Sequence, residues 1–134
     1  MKIVIDSNRA IAALLKDSTT RQILFNNKFD FVAPEFLKAE IKKYKTLLVK
    51  KTKIKEDEFD IWLSIIFERI NIIPRKEYEK YIKKLKPEIS DSKDIPYLAC
   101  NIAVKAEGIW THDPHFLKQD KIKVYTNKDL LDIL

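Results

Sequence analysis

Lys2-Ile3-Val4-Ile5-Asp6-Ser7-Asn8-Arg9 is the stretch on which the fold class turns. Lys2 to Ile5 is a short β-branched run of the kind that fills a strand buried on both faces. After Asp6-Ser7-Asn8-Arg9, Ala10, Ile11, Leu14 and Leu15 recur at helical spacing, so Asp6 stands where a strand hands over to a helix. That carboxyl end is where ligands bind in open α/β sheets. Asp and Ser are also good helix caps, and the two roles are compatible. Gly108-Ile109-Trp110-Thr111-His112-Asp113 repeats the pattern, a short apolar strand closing on an acid with Pro114 and a new helical turn behind it.

Two further acids interrupt apolar helix faces. Pro34 to Leu48 reads as a helix with Pro near its start, and Glu40 lies one turn from both Phe36 and Tyr44, on the apolar side. In Asp91-Ser92-Lys93-Asp94-Ile95-Pro96-Tyr97-Leu98-Ala99, Asp94 lies one turn before Leu98 and shares its face. Asp91 has the look of a capping-box start. Asp6, Glu40, Asp91, Asp94 and Asp113 thus sit where an apolar pattern least tolerates charge. Crowded carboxylates repel, so a fold that gathers them requires a divalent cation or raised pKa values.

The remaining pattern places strands at 2–5, 29–33, 71–73, 109–111 and 122–125. Helices are expected at 8–16, 20–26, 35–49, 56–69, 77–85 and 93–106, with a helical turn near Phe116, a closing helix from Lys128, and a connector at 87–90. Strands alternating with helices predict an α/β fold with a central parallel sheet and helices on both faces. The hairpin at 35–69 is longer than a crossover needs and rich in apolar residues, including Leu47, Leu48, Val49, Phe59, Trp62 and Phe67. Facing outward, these would form a partner surface; facing inward, they would be core.

Asp6-Ser7-Asn8 after a first strand, Glu40 in the helix after a second, Asp91 to Ala99, and Trp110-Thr111-His112-Asp113, in this order, resemble the PIN-domain nucleases, most closely small prokaryotic VapC-type toxins. The resemblance runs from Met1 to the final helix. It implies a three-layer α/β fold and endonucleolytic cleavage of RNA dependent on Mg²⁺ or Mn²⁺. By matching position it makes Asp6, Glu40, Asp94 and Asp113 the catalytic, metal-binding quartet, with Asp91 accessory and Ser7, Asn8 and Thr111 supporting. Ser7 stands where the family often has Thr, and His112 where many members have a small residue or Arg. The 35–69 region commonly serves homodimers or an antitoxin in that family, so a homodimer and an antitoxin partner are expected.

Composition narrows the field. At 134 residues the chain suits one domain, 1–134. Its single glycine, Gly108, excludes glycine-rich phosphate loops and with them P-loop and dinucleotide-binding readings. One cysteine, Cys100, precludes an internal disulfide and reads as a small buried side chain. The first apolar run is too short for a leader, and no run reaches a membrane span, so a cytoplasmic protein without membrane contact is expected. A net charge of +6 beside an acidic site suits a polyanionic substrate, and from Lys38 to Lys55 eight lysines face the single acid Glu40. Arg9, Lys50 and Lys51 are candidate RNA contacts, although lysine stems covering a core edge give the same pattern.

Hard oxygen ligands suit Mg²⁺ and Mn²⁺, with Asp6 and Asp94 as direct ligands and Glu40 and Asp113 ligating through one oxygen or through water. His112 and His115 flank Asp113, but two histidines without a third or a thiolate make a weak zinc signal. A catalytically silent RNA- or protein-binding module and a housekeeping RNA-processing nuclease remain alternatives. A phosphatase of the haloacid-dehalogenase kind is disfavoured, because Asp6-Ser7-Asn8 lacks the second aspartate.

Overall fold

The computed structural model describes residues 1–89 and 91–134. The strands β1 (Lys2–Ile5), β2 (Asp30–Pro34), β3 (Ile70–Ile73), β4 (Ile109–Trp110) and β5 (Val124–Tyr125) form one sheet in the order β3-β2-β1-β4-β5. Every pairing is parallel. Ile3, Val4 and Ile5 are wholly buried, as a central strand covered on both faces requires.

Helices α1 (Ser7–Leu14) and α2 (Ser18–Leu24) connect β1 to β2, and α3 (Phe36–Thr52) and α4 (Glu56–Glu68) connect β2 to β3. Helices α5 (Arg75–Leu85) and α6 (Ile95–Val104) lead to β4, a 3₁₀ turn at Pro114–Lys118 leads to β5, and α7 (Asn127–Ile133) closes the chain. The crossovers up to β3 advance in one direction and the next returns past two strands, so right-handed connections put α5 and α6 on the face opposite α1 to α4. Packing agrees: α1 touches α2, α3 and α4, α2 touches α7, while α6 lies across β1, β2 and β4 beneath α5. Helix α6 is therefore buried continuously from Ile95 to Asn101. The expected three-layer α/β architecture is the observed one.

Element ends differ from the pattern where local chemistry outweighs periodicity. Pro34 pairs with Ile73 at the end of β2 instead of opening α3, which begins at Phe36 and runs on to Thr52 before Lys53 turns left-handed at φ 58°. Helix α2 starts two residues early because Asp17 Oδ1 accepts from Thr20 N at 2.8 Å. Helix α7 starts at Asn127 because Thr126 and Asp129 form a capping box. Helix α6 starts at Ile95, two residues late, and β5 is confined to Val124 and Tyr125. Ser90, part of the expected connector, lies outside the described residues. The apolar residues of the α3–α4 hairpin divide: Phe59 is core, Trp62 and Phe67 are half-buried, and Leu47 and Ile61 are exposed.

Gly108 shows why a chain so poor in glycine keeps one here. A Cβ at this position would stand 2.5 Å from the Lys123 carbonyl oxygen and 2.6 Å from the Tyr125 ring. Its own carbonyl accepts from Val4 N at 2.9 Å, so the backbone cannot retreat without loosening β1. Gly108→Ala is expected to lower stability by about 1–3 kcal/mol, the usual cost of overpacking, read from the urea midpoint at unchanged slope. Parental stability would mean that β5 yields without cost.

Candidate functional site

Strand order makes the crevice first. β1 lies between β2 and β4; the connection after β1 runs to β2 on one side and the connection after β4 runs to β5 on the other, so the carboxyl ends of β1 and β4 bound the switch point of the sheet. Asp6 follows β1 directly with extended backbone, and its Oδ1 accepts from Ser7 N at 2.7 Å, capping α1. Its N–H continues the pairing to the Trp110 carbonyl at 3.0 Å. That register brings Thr111 alongside, and Thr111 Oγ1 donates to Asp6 Oδ2 at 2.7 Å. The same hydroxyl oxygen accepts from Asp113 N at 3.0 Å and Asn8 Nδ2 at 3.1 Å.

The other acids arrive on helices. Glu40, in the second turn of α3, accepts from the Tyr97 hydroxyl of α6. Asp94 precedes α6 with helical backbone, is 7% exposed, and its carboxylate accepts no hydrogen bond from the described residues. Asp91 does not open a capping box: its Oδ1 accepts from Lys93 N at 2.9 Å in an Asx turn, one turn ahead of the helix. Asp6, Ser7, Asn8, Glu40, Asp91, Lys93, Asp94, Tyr97 and Asp113 line one cleft.

Burial of these charges shifts their proton affinity. Asp6 is raised to about 6, first by burial, against hydrogen bonds from Thr111 and Ser7, with the charges of Glu40 and Asp113 adding to the rise. Asp94 is raised to about 7 by burial and then by Asp91, Asp113 and Asp6. Burial also raises Glu40, opposed by the Tyr97 hydrogen bond and by Lys93. Cys100, by contrast, is pushed up to about 12 by burial and cannot serve as a thiolate near neutrality.

The remaining candidates fall elsewhere. Arg9 donates from Nε to Asn8 Oδ1 at 3.1 Å and from Nη1 to Thr20 Oγ1 at 3.2 Å, and it is not part of the cleft lining. Lys50 and Lys51 occupy the last turn of α3, about 15 Å along the axis from Glu40. His115 Nδ1 lies 2.9 Å from Asp113 Oδ1, whereas His112 Nε2 accepts from Asn127 N at 3.0 Å. Tyr97 and Lys93 are cleft residues without a role in the sequence reading. The one available signal for Tyr97 was its position three residues after Asp94, on the same side of the helix.

Among the described residues no three His, Cys, Asp or Glu side chains form a ready-made metal-holding set in this arrangement. Both Asp6 oxygens face protein donors, Glu40 faces Tyr97 and Asp113 faces His115. The donor chemistry nevertheless fits a hard divalent cation: the acids converging on the cleft offer carboxylate oxygens alone, and the Asp94 pair is unengaged among the described residues.

A family model described as PIN domain matches residues 4–128. No curated protein matches significantly. Among solved structures, a chain of VapBC2 from Rickettsia felis, crystallised bound to a DNA fragment from their promoter, has a TM-score of 0.66 at 17% identity, over 94% of this chain and 98% of that one. At this identity the likeness speaks for the fold.

An acid whose pKa is raised by folding holds its proton better in the folded than in the unfolded state, so stability is lost as pH rises through that window. For Asp94 the window runs from 3.8 to about 7. In chelator, Asp94→Asn is expected to exceed the parent in stability at pH 8, the advantage shrinking towards pH 4, where both side chains are neutral. Urea unfolding at the two pH values checks this, and a pH-independent difference would contradict it.

Proposed function

The chain belongs to the PIN domain family, and from the acids gathered at its sheet switch point we propose that it is a divalent-metal-dependent endoribonuclease, the toxin of a VapC-type toxin–antitoxin pair. The observation that carries the reading is Asp94, a buried carboxylate with no donor among the described residues, facing a second buried acid, Asp6, across a cleft open to solvent. A bound Mg²⁺ or Mn²⁺ would neutralise charge on the scissile phosphate and lower the pKa of an attacking water. In this reading Asp6 and Asp94 are direct ligands, Glu40 and Asp113 ligate directly or through water, and Asp91 is accessory. Ser7, Asn8 and Thr111 hold the Asp6 carboxylate in place, and Tyr97 holds Glu40. Lys93 at the cleft mouth is placed to meet a phosphate.

The toxin assignment draws on the fold shared with a chain of VapBC2. A protein partner or a second copy on the α3–α4 hairpin is supported by the exposure of Leu47 at 48% and Ile61 at 60%. No helix among the described residues is long and apolar enough to cross a membrane, in keeping with a proposed cytoplasmic site of action.

Asp6→Asn and Asp94→Asn are each expected to reduce Mn²⁺-dependent RNA cleavage to background and to weaken calorimetric Mn²⁺ binding by more than about tenfold. Asp91→Asn keeps a substantial part of both, since Asn forms the same Asx turn. Equal losses for all three would make Asp91 a full ligand, and Mn²⁺ binding without cleavage of any RNA would favour a silent binding module.

The lysines at the end of α3 give a separate test. If Lys50 and Lys51 meet phosphate, Lys50→Glu with Lys51→Glu flattens the slope of log RNA affinity against log salt by about 0.7 for each lost contact. An unchanged slope removes them from the interface.

A further inference from the structure

Beneath the cleft runs a circuit of polar side chains that extends past Asn8 and Thr111 to Arg9, Thr20 and Asn127, which none of the roles above requires. Thr111, which donates to Asp6 Oδ2 at 2.7 Å, accepts from Asn8 Nδ2 at 3.1 Å, and Asn8 Oδ1 accepts from Arg9 Nε at 3.1 Å. Arg9 Nη1 donates to Thr20 Oγ1 at 3.2 Å, and the same oxygen accepts from Asn127 Nδ2 at 3.2 Å. Asn127 Oδ1 then accepts from Trp110 Nε1 at 2.8 Å, which returns the circuit to the residue beside Thr111.

Two features separate this circuit from incidental surface bonding. Thr20 and Trp110 are wholly buried and Thr111 is 1% exposed, so their polar atoms have no water to turn to. The bonds also tie α1 and α2, near the start of the chain, and β4 and α7, near its end, to one carboxylate. An Asn8 amide held at both ends has one orientation, and it sets where the Thr111 hydroxyl sits.

We propose that Arg9, Thr20 and Asn127 are positioning residues that fix Asn8 and Thr111, and through them the Asp6 carboxylate, so that Arg9 acts from behind the cleft instead of on substrate phosphate. The inference rests on the reading of Asp6 as a cation ligand. Metal ligands oriented by outer partners lose affinity when those partners are removed, and here Arg9, Thr20 and Asn127 stand three, four and five hydrogen bonds back from the carboxylate.

The test compares Thr20→Val, which keeps shape and removes the shared acceptor, with Thr20→Ser, Asn127→Ala and Arg9→Met. Calorimetric Mn²⁺ titration without RNA is the primary readout, with kcat, KM and the salt dependence of RNA binding alongside. Thr20→Val and Arg9→Met are expected to weaken Mn²⁺ binding by about three- to tenfold. They should also lower kcat at saturating Mn²⁺, while the KM for RNA and the salt slope stay parental. Thr20→Ser restores both values to within about twofold, because its hydroxyl supplies the same acceptor. Asn127→Ala moves them in the same direction, and it decides the matter if Thr20→Val does not fold.

Parental Mn²⁺ affinity in folded Thr20→Val and Asn127→Ala overturns the proposal. So does an Arg9→Met variant whose loss lies in KM with a flattened salt slope, the signature of a phosphate contact. A parent that binds Mn²⁺ but cleaves no RNA overturns the nuclease reading alone and leaves the affinity comparison to decide the positioning role. A parent that binds no Mn²⁺ overturns both.

Discussion

The pairing of β1 with β4 is the constraint on which the rest depends. It is short, Val4 against Ile109 and Ile5 against Trp110, and it continues one bond further to Asp6 N. That extra bond carries the extended backbone past the end of the strand, so Asp6 leaves the sheet with its carboxyl group over the crevice and Thr111 beside it. Asp113 follows two residues later because its N–H closes onto the Thr111 hydroxyl. Slipping this register by one residue would exchange the two faces of β4, taking Thr111 away from Asp6 and Trp110 away from Phe31, whose ring centroid lies 5.1 Å away. Core packing and site geometry are therefore held by the same few hydrogen bonds, while the lack of a side chain at Gly108 lets β5 close on the other edge of β4.

The cleft works against the stability of the fold that holds it. Burial first, and then the neighbouring carboxylates, raise Asp6 to about 6 through Glu40 and Asp113 and Asp94 to about 7 through Asp91, Asp113 and Asp6. Elsewhere Asp17 and Thr126 cap α2 and α7 with side-chain oxygens, and the central strand β1 is dry. Carboxyl groups held above their usual range and gathered in one crevice, here Asp6, Glu40 and Asp94, are a usual mark of a functional site. Tyr97 belongs to the same economy: its ring packs edge-on against Phe36 and Phe116 while its hydroxyl satisfies Glu40, so one side chain serves the core and the site together.

How far this was legible from the chain depends on range. Asp6 and Asp113 could be read because each closes a run of β-branched or aromatic residues, a signal contained within six residues. Glu40 and Asp94 could be read from helical spacing alone, since i±4 neighbours share a face. Asp91 looks like a helix cap because an acid three residues before another fits a capping box, whereas the chain makes a separate Asx turn before α6 begins. Arg9 was the hardest case. Its partner Thr20 is supplied by a different helix, and the other donor to Thr20 is 107 residues further along, a relation that no local pattern encodes.

The basic segment shows the same limit from the side of charge. Counted along the chain, the eight lysines from Lys38 to Lys55 look uniform, yet packing sorts them. Lys45 bridges Asp60 at 2.8 Å and Glu56 at 3.2 Å, joining α3 to α4, and Lys38 lies over the Phe67 ring at 5.8 Å. Lys50 and Lys51 sit in the last turn of α3, where a cation also complements the helix dipole. Lys43, one turn beyond Glu40, and Lys93, on the opposite wall, are the cations whose charge reaches the Glu40 carboxyl. Attraction of a polyanion towards buried acids needs positive charge within roughly a Debye length of them. On that criterion Lys93, outside the run, and Lys43, one member of it, outrank the other seven lysines between Lys38 and Lys55.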